Sequence, residues 1–378
     1  MSGAFDPSLE WLRAKRGVKW ARPSAAVLPA WVADMDFPLA RPIRAAIEAA
    51  LDRGDLGYPD WPVDPLAEPF TARMAQRYGW SPDPAHVRSL TDLIQAVQLV
   101  LHLGTEPGDG VVVHTPNYPP FLATIASMGR TTIPAPLVVD DGTWTWDHAA
   151  LDRAAARARV LLLVNPQNPT GRSFTADELG RLAELAERHD LVVISDEIHA
   201  DLTHDPRRHV PFASLGAEVA ARTVTVSSAT KAFNIAGLRT ALAHVGPAEL
   251  RRRWDAQPPD LFGGVNVLGV EATLAAWRDG GSWLDALRAQ LRTNRDRVAA
   301  WAAGHDGVSW LPPEAGYLAW LDIPEIAGDP AARFRAAGVE LSPGPDFGPG
   351  NETRARLNFA TSSAVLDTIL ERLDGALG

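Results

Sequence analysis

Between residues 111 and 227, short apolar runs alternate with stretches of helical periodicity, and this alternation limits the fold more than any other feature of the chain. The runs 111–114, 131–137, 160–164, 191–194 and 223–227 read as strands, and the patterns at 121–128, 147–157 and 175–189 predict helices between them. Such alternation calls for a mainly parallel sheet sheathed by helices. Beyond residue 266 the character changes. A long helical stretch, 281–303, is followed by fewer strands (308–311, 317–321, 356–359) and a terminal helix, 364–377, which together read as an α+β cap. At the other end, 1–30 reads as an irregular arm anchored by Trp11 and Trp20, followed by helices at 39–53, 65–78 and 92–103. The expected division is an arm and part of a small domain at 1–44, a large domain at 45–270 and a C-terminal small domain at 271–378.

Three of the strands end in loops equipped for chemistry. Strand 160–164 runs into N-P-Q-N-P-T-G at 165–171, strand 191–194 into S-D-E-I-H at 195–199, and strand 223–227 into S-S-A-T-K-A-F-N-I-A-G-L-R, which spans 227–239. In an open α/β sheet, ligands bind beyond the carboxyl ends of the strands, so these loops can share one crevice. Lys231 alone could be a solvated surface lysine. As a covalent catalyst it must lose its proton near neutral pH and sit at a fixed distance from an electrophilic carbon. Arg239 could supply the nearby cation that favours this and could also hold a phosphate, with hydroxyl donors from Ser228 and Thr230. Residues Ser89, Leu90 and Thr91 precede the 92–103 helix, whose start reads either as an anion cradle or as an ordinary capped helix.

Charge and composition narrow the partners. The 378 residues suffice for a sizeable core and two domains, and 36 basic against 46 acidic residues give a formal charge of -10. That balance argues against nucleic acid or an anionic membrane as the main partner. The absence of cysteine excludes disulfides, thiolate catalysis and cysteine metal sites. With a polar start over 1–19 and no run of the roughly 18 apolar residues a membrane span needs, a soluble cytoplasmic protein is expected.

The three loops, in this order and spacing, resemble the fold-type I pyridoxal phosphate enzymes of the class I/II aminotransferase superfamily. Finer segments resemble the MalY/PatB-type cystathionine β-lyases: W-V-A-D-M-D-F at 31–37, L-G-Y-P at 56–59, P-N-Y-P-P-F at 116–121 and S-D-E-I-H-A-D-L at 195–202. The resemblance implies an aspartate-aminotransferase-like large domain, plus a smaller α+β domain formed from the chain ends. It also implies pyridoxal 5'-phosphate bound to Lys231, with Asp196 keeping the ring nitrogen protonated. Asn168 would reach the phenolic oxygen, with His199 where many aminotransferases have a tyrosine. Tyr118 would stack on the ring, and Leu90, Thr91, Ser228, Thr230 and Arg239 would surround the phosphate. The phosphate turn is poorer in glycine than is usual for the family, and Asp92 suits a phosphate neighbourhood only if it points away. Tyr58 matches the tyrosine that reaches the phosphate of the other subunit, which implies a homodimer with sites at the interface. Strand periodicity leaves Arg354 and Arg356 equivalent. The family pattern selects Arg356 for the substrate α-carboxylate and puts Ala33 beside the substrate. Glu197, adjacent to Asp196 in an extended backbone, should point elsewhere. The implied activity is carbon–sulfur β-lysis of cystathionine or a related cysteine conjugate, giving a thiol, pyruvate and ammonia. The alternatives are an aminotransferase, a specialised biosynthetic enzyme on the same cofactor, and a regulatory binding protein that keeps fold and cofactor.

Overall fold

In the computed structural model, which describes residues 5–59, 61–258, 263–326 and 328–377, the strands are β1 Leu28–Pro29, β2 Val87–Leu90, β3 Gly110–Thr115, β4 Thr131–Asp140, β5 Thr143–Trp146, β6 Val160–Val164, β7 Val192–Asp196, β8 Thr223–Ser227, β9 Ala241–Val245, β10 Ser309–Trp310, β11 Leu318–Asp322, β12 Val339–Glu340, β13 Ser342–Pro343 and β14 Arg354–Asn358. One eight-stranded sheet runs in the order β2-β9-β8-β7-β6-β3-β4-β5. Its centre, β8-β7-β6-β3-β4, is parallel, and β9 and β5 are antiparallel to the strands beside them.

Burial on both faces explains why the central strands read as continuous apolar runs. On one face Val111, Val113, Val160, Leu162, Val164, Ile194, Val224 and Val226 pack under the helix Leu93–Gly104. On the other, Val112, Leu161, Leu163 and Val193 pack with Leu179, Leu182 and Ala186 of the helix Ala176–Arg188. Each such side chain contributes about 1.5–3 kcal/mol on burial. The second helix starts on a capping box. Thr175 Oγ1 accepts from the Glu178 N–H (3.3 Å), and the Glu178 carboxylate accepts from the Thr175 N–H (2.7 Å).

A third core joins the two ends of the chain. Leu12, Phe37 and Ile43 pack with Leu287 and Leu291 of the helix Gly281–Ala303, with Leu321 and Leu357, and with Leu366 and Ile369 of the helix Ser363–Leu377. The four-stranded sheet β10-β11-β14-β13 lies in this unit, and β1 pairs with β12 across more than three hundred residues of sequence. The α+β cap expected from the chain ends is present.

Some local expectations need correction. The N-terminal arm is not wholly irregular, because Leu9–Arg13 and Val18–Ala21 are short helices, the first capped by Ser8. Trp20 is an anchor, donating from Nε1 to Asp36 at 2.6 Å, but Trp11 is 43% exposed and lies under Lys15. Residues 87–90 and 241–245 pair as the antiparallel strands β2 and β9, and the helix Val267–Asp279, capped by Asn266, precedes the long helix.

Candidate active site

The site begins in the register of three neighbouring strands. Val164, Asp196 and Val226 are aligned across β6, β7 and β8, so the loops that follow leave the sheet side by side. Gly171 closes the N-P-Q-N-P-T-G loop at φ 70°, where a Cβ would collide with Pro313. Ser228 starts a single helical turn, Ala229–Ala232, with its Oγ accepting from the Thr230 N–H at 3.0 Å and donating to the Thr240 carbonyl at 2.6 Å. Lys231 lies in this turn and lines the cleft. One cleft is lined by Ala33, Thr91, Tyr118, Asn168, Asp196, His199, Ser228, Thr230, Lys231 and Arg239.

Burial sets the electrostatics. Lys231 Nζ donates to the Ala33 carbonyl at 2.8 Å, and desolvation holds its amine below the ordinary lysine pKa. Asp196 accepts one bond, from the Ile198 N–H at 3.0 Å, and desolvation pushes its carboxyl up to about 7. A buried carboxylate with so few donors calls for a cationic partner. His199 is 5% exposed, its Nδ1 has no partner among the described residues, and desolvation lowers it to about 3, so the ring is neutral. Tyr118 is partly buried, edge-on to Phe121 with ring centroids 5.4 Å apart.

Arg356 sits on β14, not in the large sheet. Its Nη1 donates to Asn168 Oδ1 at 3.0 Å, its Nη2 to the Trp31 carbonyl at 2.9 Å and to Ser342 Oγ at 3.2 Å, and its buried Nε has no partner among the described residues. Burial lowers the guanidinium to about 10. Arg354, which strand periodicity left equivalent, instead pairs with Asp322 at 3.2 Å and lies over the Trp144 ring. Glu197 turns away from the cleft, its carboxylate accepting from Ser195, the Phe212 N–H and His209. Asn165 likewise serves its loop, accepting from the Phe174 N–H.

The anion end of the cleft is less simple. Arg239, at φ 50°, is paired with Asp92, whose other oxygen caps the Leu93–Gly104 helix by accepting from Gln95 N–H at 2.8 Å. Thr91 Oγ1 is bonded to Gln95 Oε1 at 3.1 Å. Asp92 therefore points into the cleft with its charge neutralised. The Leu90 side chain packs in the core beneath the helix, while Tyr58 lies outside the cleft on the surface, fully exposed. Two contributors escaped the sequence reading. Ile198, two residues past Asp196, lines the cleft, and that spacing was the available signal. Tyr317, 1% exposed, donates to the same Ala33 carbonyl at 2.9 Å, and nothing in its local sequence marks it.

The model of the family described as aminotransferase class I and II matches residues 32–373. The chain belongs to this family. Among relatives of this family member, the cystathionine beta-lyase PatB of Bacillus subtilis (strain 168) is 35% identical, with 99% of each chain covered. The crystal structure of OvoB superposes with a TM-score of 0.92 at 37% identity, over 97% of each chain. That of cystalysin from Treponema denticola, which contains a pyridoxal 5'-phosphate cofactor, also gives 0.92, at 28% identity, over 99% of this aminotransferase-family chain and 98% of the other. The fold is that of these two structures.

Proposed function

We propose that the chain is a pyridoxal phosphate-dependent carbon–sulfur β-lyase that cleaves cystathionine or a related cysteine S-conjugate to a thiol, pyruvate and ammonia. The observation that carries the reading is the juxtaposition, in one cleft, of an amine of lowered basicity and an under-donated buried carboxylate, with a buried guanidinium that is bonded to the cleft residue Asn168 and lines the adjoining cavity across Tyr118. Full-length similarity to proteins named cystathionine beta-lyase supports the lyase over other chemistries of the family.

The donor set fits the cofactor. Asp196 would hold the ring nitrogen protonated, which also gives its carboxylate the cation it lacks. Asn168 accepts from Arg356 through Oδ1, which leaves its amide N–H groups for the ring's phenolic oxygen. Tyr118 would stack on the ring, and Ile198 lines the same cleft. Bound pyridoxal phosphate supplies an electron sink for the carbanion left when the substrate loses its α-proton. Lys231 takes that proton at Nζ, a role open to an amine with lowered pKa. Arg356 offers two parallel donors to the α-carboxylate, and its unpartnered Nε is available for one of them. Ser228, Thr230, Thr91 and Arg239 serve the phosphate, for which Arg239 would turn from Asp92.

The same reading makes the enzyme a homodimer, with Tyr58 reaching the neighbour's phosphate. Its support is an exposed patch that includes Leu56, Tyr58, Trp61 and Val63, with Val63 70% exposed. Domain limits at 44/45 and 270/271 belong to the proposal as well. No described helix is long and apolar enough to cross a membrane.

A substrate panel tests the reading. Purified protein given cystathionine, then cysteine conjugates, is expected to release pyruvate and thiol in equal amounts. Transfer of the amino group to a 2-oxo acid without pyruvate would make it an aminotransferase instead.

A further inference from the structure

Asn234 lies three residues beyond Lys231, and the chemistry above gives it no task. Its backbone is left-handed at φ 57°, a conformation asparagine tolerates better than most residues. Its side chain makes three bonds to one distant segment. Oδ1 accepts from the Met35 N–H at 3.0 Å, and Nδ2 donates to the carbonyls of Met35 at 3.1 Å and Phe37 at 3.0 Å.

The same segment is fastened from the opposite side to the strand that bears Arg356. Arg356 Nη2 and Ser342 Oγ donate to the Trp31 carbonyl at 2.9 and 2.7 Å. Asn358, two residues along β14 from Arg356, donates to the carbonyls of Val32 and Asp34, both at 2.7 Å. From the N-terminal helices, Lys19 reaches the Asp34 carbonyl and the Asp36 carboxylate, each at 3.0 Å, in an ion pair whose side chains are 4% and 1% exposed. In the middle of this tethered segment the Ala33 carbonyl receives both Lys231 Nζ and the Tyr317 hydroxyl, at 2.8 and 2.9 Å. Residues 31–37 thus form a bridge between the arginine strand and the lysine loop, with Asn234 as its fastening on the lysine side.

We propose that Asn234 is a positioning residue that clamps residues 35–37 to the lysine loop and so fixes the Lys231 amine relative to the guanidinium of Arg356. The proposal rests on the lyase reading of this cleft. A substrate gripped by Arg356 presents its α-proton at one place, and Lys231 must be within about 3–3.5 Å of it. A misplacement of about 1 Å can lower the rate by roughly 100-fold. Without the clamp both groups remain, but their separation is no longer fixed, so proton transfer suffers more than binding.

Asn234→Gly separates the clamp from the turn, because glycine adopts positive φ without strain while all three bonds are lost. Asn234→Asp keeps the acceptor for Met35 but sets a carboxylate oxygen against two carbonyls. Both chains are compared with wild type on cystathionine and on cystathionine deuterated at the α-carbon, with melting temperature and retained cofactor absorbance recorded alongside. The expected result for the glycine chain is a kcat lowered about 10- to 100-fold, with KM within about threefold and a raised deuterium isotope effect, as slowed proton transfer requires. Cofactor retention is expected to equal that of wild type. Should the glycine chain not fold, the aspartate chain carries the same prediction. An unaltered isotope effect in the folded variants, or a kcat loss matched by lost cofactor or lost folded protein, overturns the clamp. A wild-type protein that retains cofactor but releases no pyruvate would instead overturn the lyase reading, which keeps the two failures distinct.

Discussion

Lys231, Asp196 and Asn168 leave neighbouring strands of a single sheet whose register already aligns Val164, Asp196 and Val226. Arg356 and Tyr317, on and beside the paired strands β14 and β11, reach the segment that holds Ala33 through polar bonds spanning 325 and 284 positions. The half proposed to face the cofactor is therefore carried by a sheet apolar on both faces. The half proposed to face the substrate depends on a bridge of carbonyls held by Asn358, Ser342, Lys19 and Asn234. A change in the first half should alter the chemistry itself. A change in the second should alter how well substrate is held and aligned.

The largest effect expected among three substitutions that test this contrast belongs to Asp196. Asp196→Ala should lower kcat by about 100- to 1,000-fold, the cost of losing one preorganised electrostatic group, with a smaller loss of cofactor affinity. The same residue gives a pH test on cofactor-free protein. Its folded carboxyl titrates at about 7 because of burial, against an ordinary value of 3.8. The neutral form is thus favoured by folding, and its contribution is complete below pH 4 and lost as pH rises to about 7. Urea titrations should show cofactor-free wild type losing stability over that window relative to Asp196→Asn. Adding cofactor should abolish the loss, since a protonated ring nitrogen pairs with the ionised carboxylate. Equal pH dependence in both proteins would place Asp196 outside this role.

A smaller effect is expected in the other half. Arg356→Lys keeps the charge but loses the fork, a change of about 1.5–3 kcal/mol, so KM should rise roughly 10- to 100-fold with kcat less affected. For Arg356→Lys, a fall in kcat at constant KM, the effect expected from loss of the Asn234 clamp, would show that Arg356 aligns substrate more than it holds it. The smallest effect belongs to Tyr58, one of several phosphate donors. Tyr58→Phe should weaken cofactor binding about tenfold, near the lower limit for a hydrogen bond to a charged group. Mixed with inactive Lys231→Ala chains after subunit exchange, it should recover activity above either parent, because one heterodimer site then has both residues intact. No recovery despite proven exchange would place Tyr58 in its own subunit's site or in none.

The same contrast explains what could be read from the sequence. Strands β6, β7 and β8 were legible because burial on both faces leaves unbroken runs of valine, leucine and isoleucine, and each ends in a loop with its own motif. Strand β2, Val-Arg-Ser-Leu at the sheet edge, and β9, Ala-Leu-Ala-His-Val, carry no such signal, and their antiparallel pairing is set by tertiary context. Trp11 was misread as an anchor because an aromatic in a short amphipathic turn can as well cover a lysine stem as fill a core. Tyr317 and Asn234 act through carbonyls 284 and 197–199 residues away, and main-chain acceptors have no residue identity to recognise. Arg239 and Asp92 were each legible as groups near an anion site, but their pairing required the fold.

The central claim is that Lys231 is the lysine that holds the cofactor covalently. Protein loaded with pyridoxal phosphate, reduced with borohydride and digested, should yield by mass spectrometry a pyridoxyl group on the peptide that contains Lys231. The Lys231→Ala protein treated in the same way should carry none. A pyridoxyl group on any other lysine of the wild-type protein, or a fully labelled Lys231→Ala chain, would contradict the account.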